Sequence, residues 1–208
     1  MNTSVTTGSG YFCSMHEGKN LQEIIRGRRS TKPSLMNGKN IDQASVQYLL
    51  ELADWAPTHG RTEPWRFIVY TGESLKQFCE QHADLYKAHT DEDKFTTAKY
   101  QGIIQQAEKV SHLVLVYMKR QPTQKIPVIE EIAATAAAIE HILLGAQALG
   151  IAALWSTGGM THHESMKKML GLTADDLVMG LLYLGYTDEP VVEGKRNIPL
   201  SEKISWNN

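Results

Sequence analysis

Between Pro127 and Gly150 the sequence reads PVIEEIAATAAAIEHILLGAQALG, and this segment constrains the fold more than any other. Alanine is the best helix former, and Pro127 can open a helix at its first turn, where the missing amide is harmless. The helix then runs on through the alanine-rich Ile132 to Leu149, and Gly150 ends it. Apolar residues cover most of its circumference, so it has to be enclosed by a sheet on one side and by other helices or another subunit on the other. Its small residues permit close backbone approach. Its most apolar stretch, Ile132 to Ile139, lies between Glu131 and Glu140 and is too short to span a bilayer.

The other segments supply the partners this helix needs. Ile41, Val46, Leu49, Leu50 and Ala53 recur at helical spacing, with Asp42 placed to cap the run. The turn-prone APTHGRTEPW, Ala56 to Trp65, leads into an aromatic and β-branched run from Phe67 to Tyr70, which predicts a strand. Helices are predicted over Glu73 to His89 and Asp93 to Glu108, and a strand over His112 to Met118. Two further strands, Ile151 to Trp155 and Leu177 to Leu184, are joined through STGGM and a helix with Thr161 and Glu164 in capping-box positions. The tail from Val191 to Trp206 has no core of its own. Strands interspersed with helices of uneven length predict a three-layer sheet protein rather than a regular βαβ repeat. The chain's 208 residues suit one domain. Residues 1–20 are polar and read as a flexible extension, leaving 21–208 as the folded unit.

The charge balance narrows function. With 21 basic and 23 acidic residues, the net charge of -2 gives no broad basic field for sequence-independent nucleic-acid binding. Cys13 and Cys79 stand far apart without zinc-type spacing, which predicts neither a disulfide framework nor a structural metal site. No secretory signal or membrane span is evident, and a reducing cytoplasmic setting is expected.

Four segments could carry chemistry. RGRRSTKP, Arg26 to Pro33, crowds four cations and two hydroxyls together. Arginine offers a planar fork of donors to phosphate oxygens, and serine adds a neutral one. A solvated basic turn, or a module binding phosphorylated or nucleic-acid partners, is the alternative reading. APTHGRTEPW places His59 and Glu63 in a stiff loop between rigid elements. WSTGGM, Trp155 to Met160, follows a strand, and its glycines allow backbone amides to approach a flat ligand. GKRNIP, Gly194 to Pro199, brings further positive charge. His162, His163 and Glu164 lack the spacing of a zinc motif and read as capping residues. No GxGxxG fingerprint marks a separate dinucleotide site.

In order and character these segments resemble the nitroreductase family of FMN-dependent oxidoreductases, from about Leu21 to Trp206. The matches are Arg28, Ser30 and Lys32; Ala56, Pro57, Pro64 and Trp65; Leu149 and Gly150; Trp155 to Gly159; and Lys195 and Arg196. The resemblance implies an α+β, three-layer α/β/α fold with a mostly antiparallel central sheet and a C-terminal tail exchanged within a homodimer, FMN lying at the interface. It implies that Arg28, Arg29 and Ser30 hold the FMN phosphate and ribityl chain, with Lys32 near the pyrimidine edge. Trp155, Ser156, Thr157, Gly158 and Gly159 would lie against the isoalloxazine, and Lys195 and Arg196 would close over the phosphate.

The loop around His59 and Glu63 would reach the flavin bound largely by the other subunit. Glu63 stands where the family pattern most often has glutamine, and a pairing with Arg61 or Arg66 is the competing expectation. The implied activity is ping-pong hydride transfer from NADH or NADPH through FMN to a nitroaromatic, quinone or similar acceptor. Enone reduction, dehalogenation and flavin consumption are the alternatives within such enzymes. The flavin carries the reactivity, so no catalytic side chain and no metal are expected.

Overall fold

The structure is a computed structural model that describes residues 20–207. All but the last residue of the expected N-terminal extension, with Cys13, lies outside them. Asn20 itself caps the first helix, α1 (Leu21–Gly27), in a reciprocal capping box with Glu23. There follow α2 (Gln43–Asp54), β1 (Trp65–Thr71), α3 (Gly72–His89), α4 (Thr97–Lys109), β2 (His112–Met118), α5 (Val128–Ala148), β3 (Ala152–Ser156), α6 (Glu164–Met169) and β4 (Leu177–Gly185).

The four strands form one sheet in the order β1-β2-β4-β3, and every pairing is antiparallel. Alternation along β2 assigns its faces. Val114, Val116 and Met118 join Ala138, Ile139 and Ile142 of α5 and Leu49 of α2 in one core. Leu113 and Leu115 join Leu75 and Phe78 of α3 and Met166 of α6 in the other. Ile103 of α4 packs on Ala83 and Tyr86 of α3 at the edge of that second layer. The three-layer arrangement expected from the sequence is therefore present, with α5 enclosed by the sheet and by α2. A β-carbon added to Gly145 of α5 would meet Leu52 and Leu49 of α2 at 2.7 and 2.8 Å, so the two helices approach as closely as a missing side chain permits.

Some local expectations are corrected. Pro127 sits at the N-cap of α5, one residue before the helix. Asp93 lies in a turn, and α4 begins at Thr97, because Thr96 caps it by accepting the Lys99 amide. The helix after STGGM starts at Glu164, and His163, not Thr161, is its cap, its Nδ1 accepting the Ser165 amide. Thr161 instead turns its hydroxyl back to donate to the Gly158 carbonyl at 2.6 Å. The capping role expected around His162 to Glu164 thus falls on His163. Among the described residues no group of three potential metal ligands occurs, and no helix is long and apolar enough to cross a membrane. The tail beyond Gly185 runs exposed over the surface with one short helical turn, Leu200–Lys203.

Candidate active site

The basic segment after α1 is stitched to the sheet. Ser30 forms a parallel bridge with Ala153 of β3, and the Thr31 amide donates to the Ala153 carbonyl at 2.9 Å. That pairing carries Lys32 alongside Leu154. Lys32, Pro33 and Leu154 then face Gly102, Gln105 and Gln106 of α4 across a cavity of about 470 Å³. At Gly102 and Gln106 this cavity meets a second one of about 290 Å³, bordered by Ser156, Gly158 and Gly159 and floored by His82 and Tyr183. A cleft thus runs along the end of β3, with Lys32 at one end and the glycine turn at the other.

Its floor is neutral. His82 is 3% exposed, and its Nε2 accepts the Met160 amide at 2.9 Å, fixing the glycine turn. Burial, assisted by the Lys99 charge, holds its pKa down to about 4, so the ring is uncharged at neutral pH. Nε2 acts as acceptor, so the proton resides on Nδ1, and Nδ1 is buried with no protein partner. The Oε1 of Gln106 is likewise buried and unpartnered. Burial also pushes up the Tyr183 phenol, which stays protonated. Lys99 lines the mouth, its ammonium 4.5 Å from the Tyr86 ring centroid.

The remaining residues expected at the site are distributed around this cleft. Arg28 Nε stands 3.7 Å from a Glu140 carboxylate oxygen. Arg29 donates through Nε to the Val192 carbonyl at 2.8 Å and through Nη1 to the carbonyls of Arg26 and Arg28, so its fork clasps the start of the tail. With Ser30 it lines a separate cavity of about 470 Å³ beneath Thr187 and Val192. Trp155 packs its indole into the α5-side core and donates from Nε1 to the Met179 carbonyl at 2.9 Å. Thr157 is exposed at the start of the glycine turn, and Lys195 and Arg196 are exposed on the tail.

His59 Nδ1 contacts Glu130 Oε2 at 2.5 Å, which ties its loop to the start of α5. Glu63 adopts a φ of 42° and forms no ion pair with Arg61 or Arg66; Arg66 Nη1 donates to its backbone carbonyl at 2.7 Å. The expected carboxylate pairing is absent. The single chain therefore gathers Lys32, Ser156, Gly158 and Gly159 into the cleft, sets Arg28, Arg29 and Ser30 beside it, and leaves His59, Glu63, Lys195 and Arg196 elsewhere. His82, Lys99, Gly102 and Gln106 were not singled out from the sequence. For His82 a signal exists: it falls on the buried stripe of α3 with Leu75, Phe78, Cys79, Ala83 and Tyr86.

A three-layer fold with one all-antiparallel sheet, and a cleft between a strand end, a glycine turn and a flanking helix, defines a class of α+β proteins rather than a dinucleotide-binding βαβ unit. The sequence pattern of the Nitroreductase family matches residues 25–186, and the chain belongs to that family. It is accordingly an oxidoreductase of the nitroreductase type. A nitroreductase-like family protein from Bacillus cereus is similar in structure, with a TM-score of 0.78 and 26% identity over 93% of this chain and 99% of the other. A Desulfovibrio desulfuricans protein provisionally named a nitroreductase, solved in complex with FMN, superimposes with a TM-score of 0.68 at 22% identity, covering 91% of this chain and 98% of that one. YfhC of Bacillus subtilis (strain 168), provisionally named an NAD(P)H nitroreductase, is 26% identical over 92% of this chain and 96% of its own length.

Proposed function

We propose that the protein is an FMN-dependent enzyme that takes hydride from NADH or NADPH and delivers it to a nitroaromatic, quinone or similar acceptor in a ping-pong cycle. The observation that carries this reading is the cleft at the end of β3, which has Lys32 at one end and the glycine turn of Ser156, Gly158 and Gly159 at the other. A lysine ammonium and a turn of glycine backbone facing one elongated cleft suit a flat ligand rich in acceptors. Bound FMN supplies the ring that accepts and returns hydride.

The chain's own residues position that ring. Lys32 sets a cation at one end of the cleft, where it favours added electron density. The backbone from Ser156 to Gly159 lines one wall of the cleft, and His82 keeps the turn in place, packing so closely on Gly159 that a β-carbon there would meet its Nε2 at 2.5 Å, and accepting the Met160 amide. Arg28, Arg29 and Ser30 suit the phosphate, and because Arg29 also grips the tail at Val192, phosphate binding and tail position are linked. His59 and Glu63 lie away from their own chain's cleft, which favours a homodimer in which each loop completes the partner's site.

The test is an absorbance scan of purified protein followed by anaerobic titration with each nicotinamide. A yellow protein that releases FMN on denaturation and bleaches with NADH or NADPH is expected. A colourless protein that cannot be reconstituted with FMN overturns the reading.

A further inference from the structure

The loop between β2 and α5, residues 119–127, is wound around one side chain. Arg120 donates through Nη1 to the Ile126 carbonyl at 2.7 Å and through Nη2 to the Gln124 carbonyl at 3.4 Å, and Nη1 also donates to Glu131 Oε2 near the start of α5. Its own amide donates to Asp176 Oδ1 at 3.1 Å. The Glu131 side chain is fully buried and that of Arg120 is 12% exposed, while Glu131 Oε1 finds no hydrogen-bond partner among the described residues. Two ions taken out of water gain little net stability over well-packed apolar side chains, and less when one carboxylate oxygen stays unpaired. What the pair does fix is geometry, because a planar fork satisfies several acceptors in one arrangement only.

The loop that carries His59 rests on this clamp at three points. The Lys119 amide donates to the Pro64 carbonyl at 2.8 Å, Ile126 fills the space over Gly60, where a β-carbon would meet its Cδ1 at 3.0 Å, and Glu130 Oε2 holds His59 Nδ1 at 2.5 Å. Each support is tied to the ion pair: Lys119 precedes Arg120, Ile126 gives its carbonyl to Arg120, and Glu130 precedes Glu131. Arg61 and Glu63 hold φ values of 53° and 42°, a left-handed conformation that side chains disfavour, so the loop needs outside support to keep its shape. We propose that Arg120 and Glu131 are positioning residues for the His59 loop, setting where His59 and Glu63 stand and thereby how well the site they complete takes donor and acceptor. The proposal rests on the shared-site reading above, in which each loop serves the partner's cleft.

The experiment removes both charges of the full-length protein together, in Arg120→Met/Glu131→Leu, which leaves no buried ion unpaired, so the urea midpoint is expected to hold. Trypsin reads the loop: cleavage after the exposed Arg61 is expected to accelerate roughly tenfold, with and without added FMN, because the clamp lies within one chain. Steady-state kinetics read the site: kcat/KM for NADH or NADPH and for a nitroaromatic is expected to fall roughly ten- to a hundredfold, the cost of misplacing a contact by about 1 Å. In a His59→Ala background the same two replacements are expected to cost much less, because the contact they displace is already gone. Where the double replacement unfolds the protein, Arg120→Lys carries the same readouts, since it keeps the charge and loses the fork.

A loop as resistant to trypsin as that of wild type overturns the proposal alone, whatever the kinetics. Kinetic losses that add in full to those of His59→Ala overturn it as well, since the pair would then act through general packing. A loop that is freed while both kcat/KM values stay unchanged overturns the proposal together with the shared-site reading beneath it. Wild-type protein that binds no FMN overturns the functional reading and the proposal with it.

Discussion

The indole of Trp155 occupies the place where a side chain on Gly180 would stand: a β-carbon there would collide with its Nε1 and Cδ1 and reach 3.0 Å from the Ser156 carbonyl. Pairing between β2 and β4 shifts at this point, with Val116 opposite Gly180 and Tyr117 opposite Val178. The extra residue, Met179, offers the carbonyl that the indole uses. Gly180 has a φ of 153°, which side-chain-bearing residues rarely adopt. Gly180→Ala is therefore expected to cost about 2–4 kcal/mol, from overpacking and backbone strain together. Urea denaturation of the two proteins measures it, and a midpoint unchanged from wild type would show that the strand relaxes freely.

His82 makes stability depend on pH. Its pKa falls from 6.5 to about 4 on folding, so between these values the unfolded chain binds a proton that the folded chain refuses. The stabilisation is complete above pH 6.5 and is lost progressively as pH falls toward 4, by about 3 kcal/mol in all. Burial lowers the pKa of His112 in the same direction, so wild type must be compared with His82→Gln, which keeps an acceptor for the Met160 amide. The variant should lose less stability than wild type between pH 7 and pH 4.5 in denaturant titrations. Parallel losses would mean that His82 is charged in the folded protein.

Cys79 should be inert. It is fully enclosed in the α3-side core, and burial pushes its thiol up to about 12, leaving almost no thiolate at neutral pH. In a Cys13→Ser background, a maleimide reagent is expected to leave native protein unlabelled over hours and to label it stoichiometrically in guanidinium. Rapid native labelling would show that α3 opens locally.

The large elements were legible because their cause is local. The alanine-rich α5 and the apolar β2 declare themselves by composition, and Asp42 caps α2 as its position suggests. Thr161 misleads because its hydroxyl finds a nearer partner in the Gly158 carbonyl, which leaves the cap to His163. Lys32 and the glycine turn were found from motif character, yet the α4 wall facing them was not, since Gly102 and Gln106 acquire meaning only once the sheet brings β3 opposite that helix. The clasp of Arg29 on Val192 spans 163 residues and leaves no mark in either segment.

The last expectation concerns assembly. α1 buries none of its residues, and Leu21, Ile25 and Trp55 are 67%, 52% and 85% exposed, beside a shallow apolar groove between α1, α2 and α5. Apolar surface of this extent on one side of a molecule is costly to leave in water, at roughly 25 cal/mol per Å². A second copy related by a two-fold axis would cover it, and the shared site proposed above requires that docking to bring the His59 loop to the partner's cleft. Wild-type protein is expected to sediment as a dimer at micromolar concentration, and Trp55→Glu to shift it toward monomer by placing a charge in the covered surface. Because the site would be shared, the variant should also hold FMN less tightly, although Trp55 lines neither cavity of its own cleft. Wild-type protein that is monomeric while saturated with FMN would separate cofactor binding from assembly and return His59 to a purely structural role in its contact with Glu130.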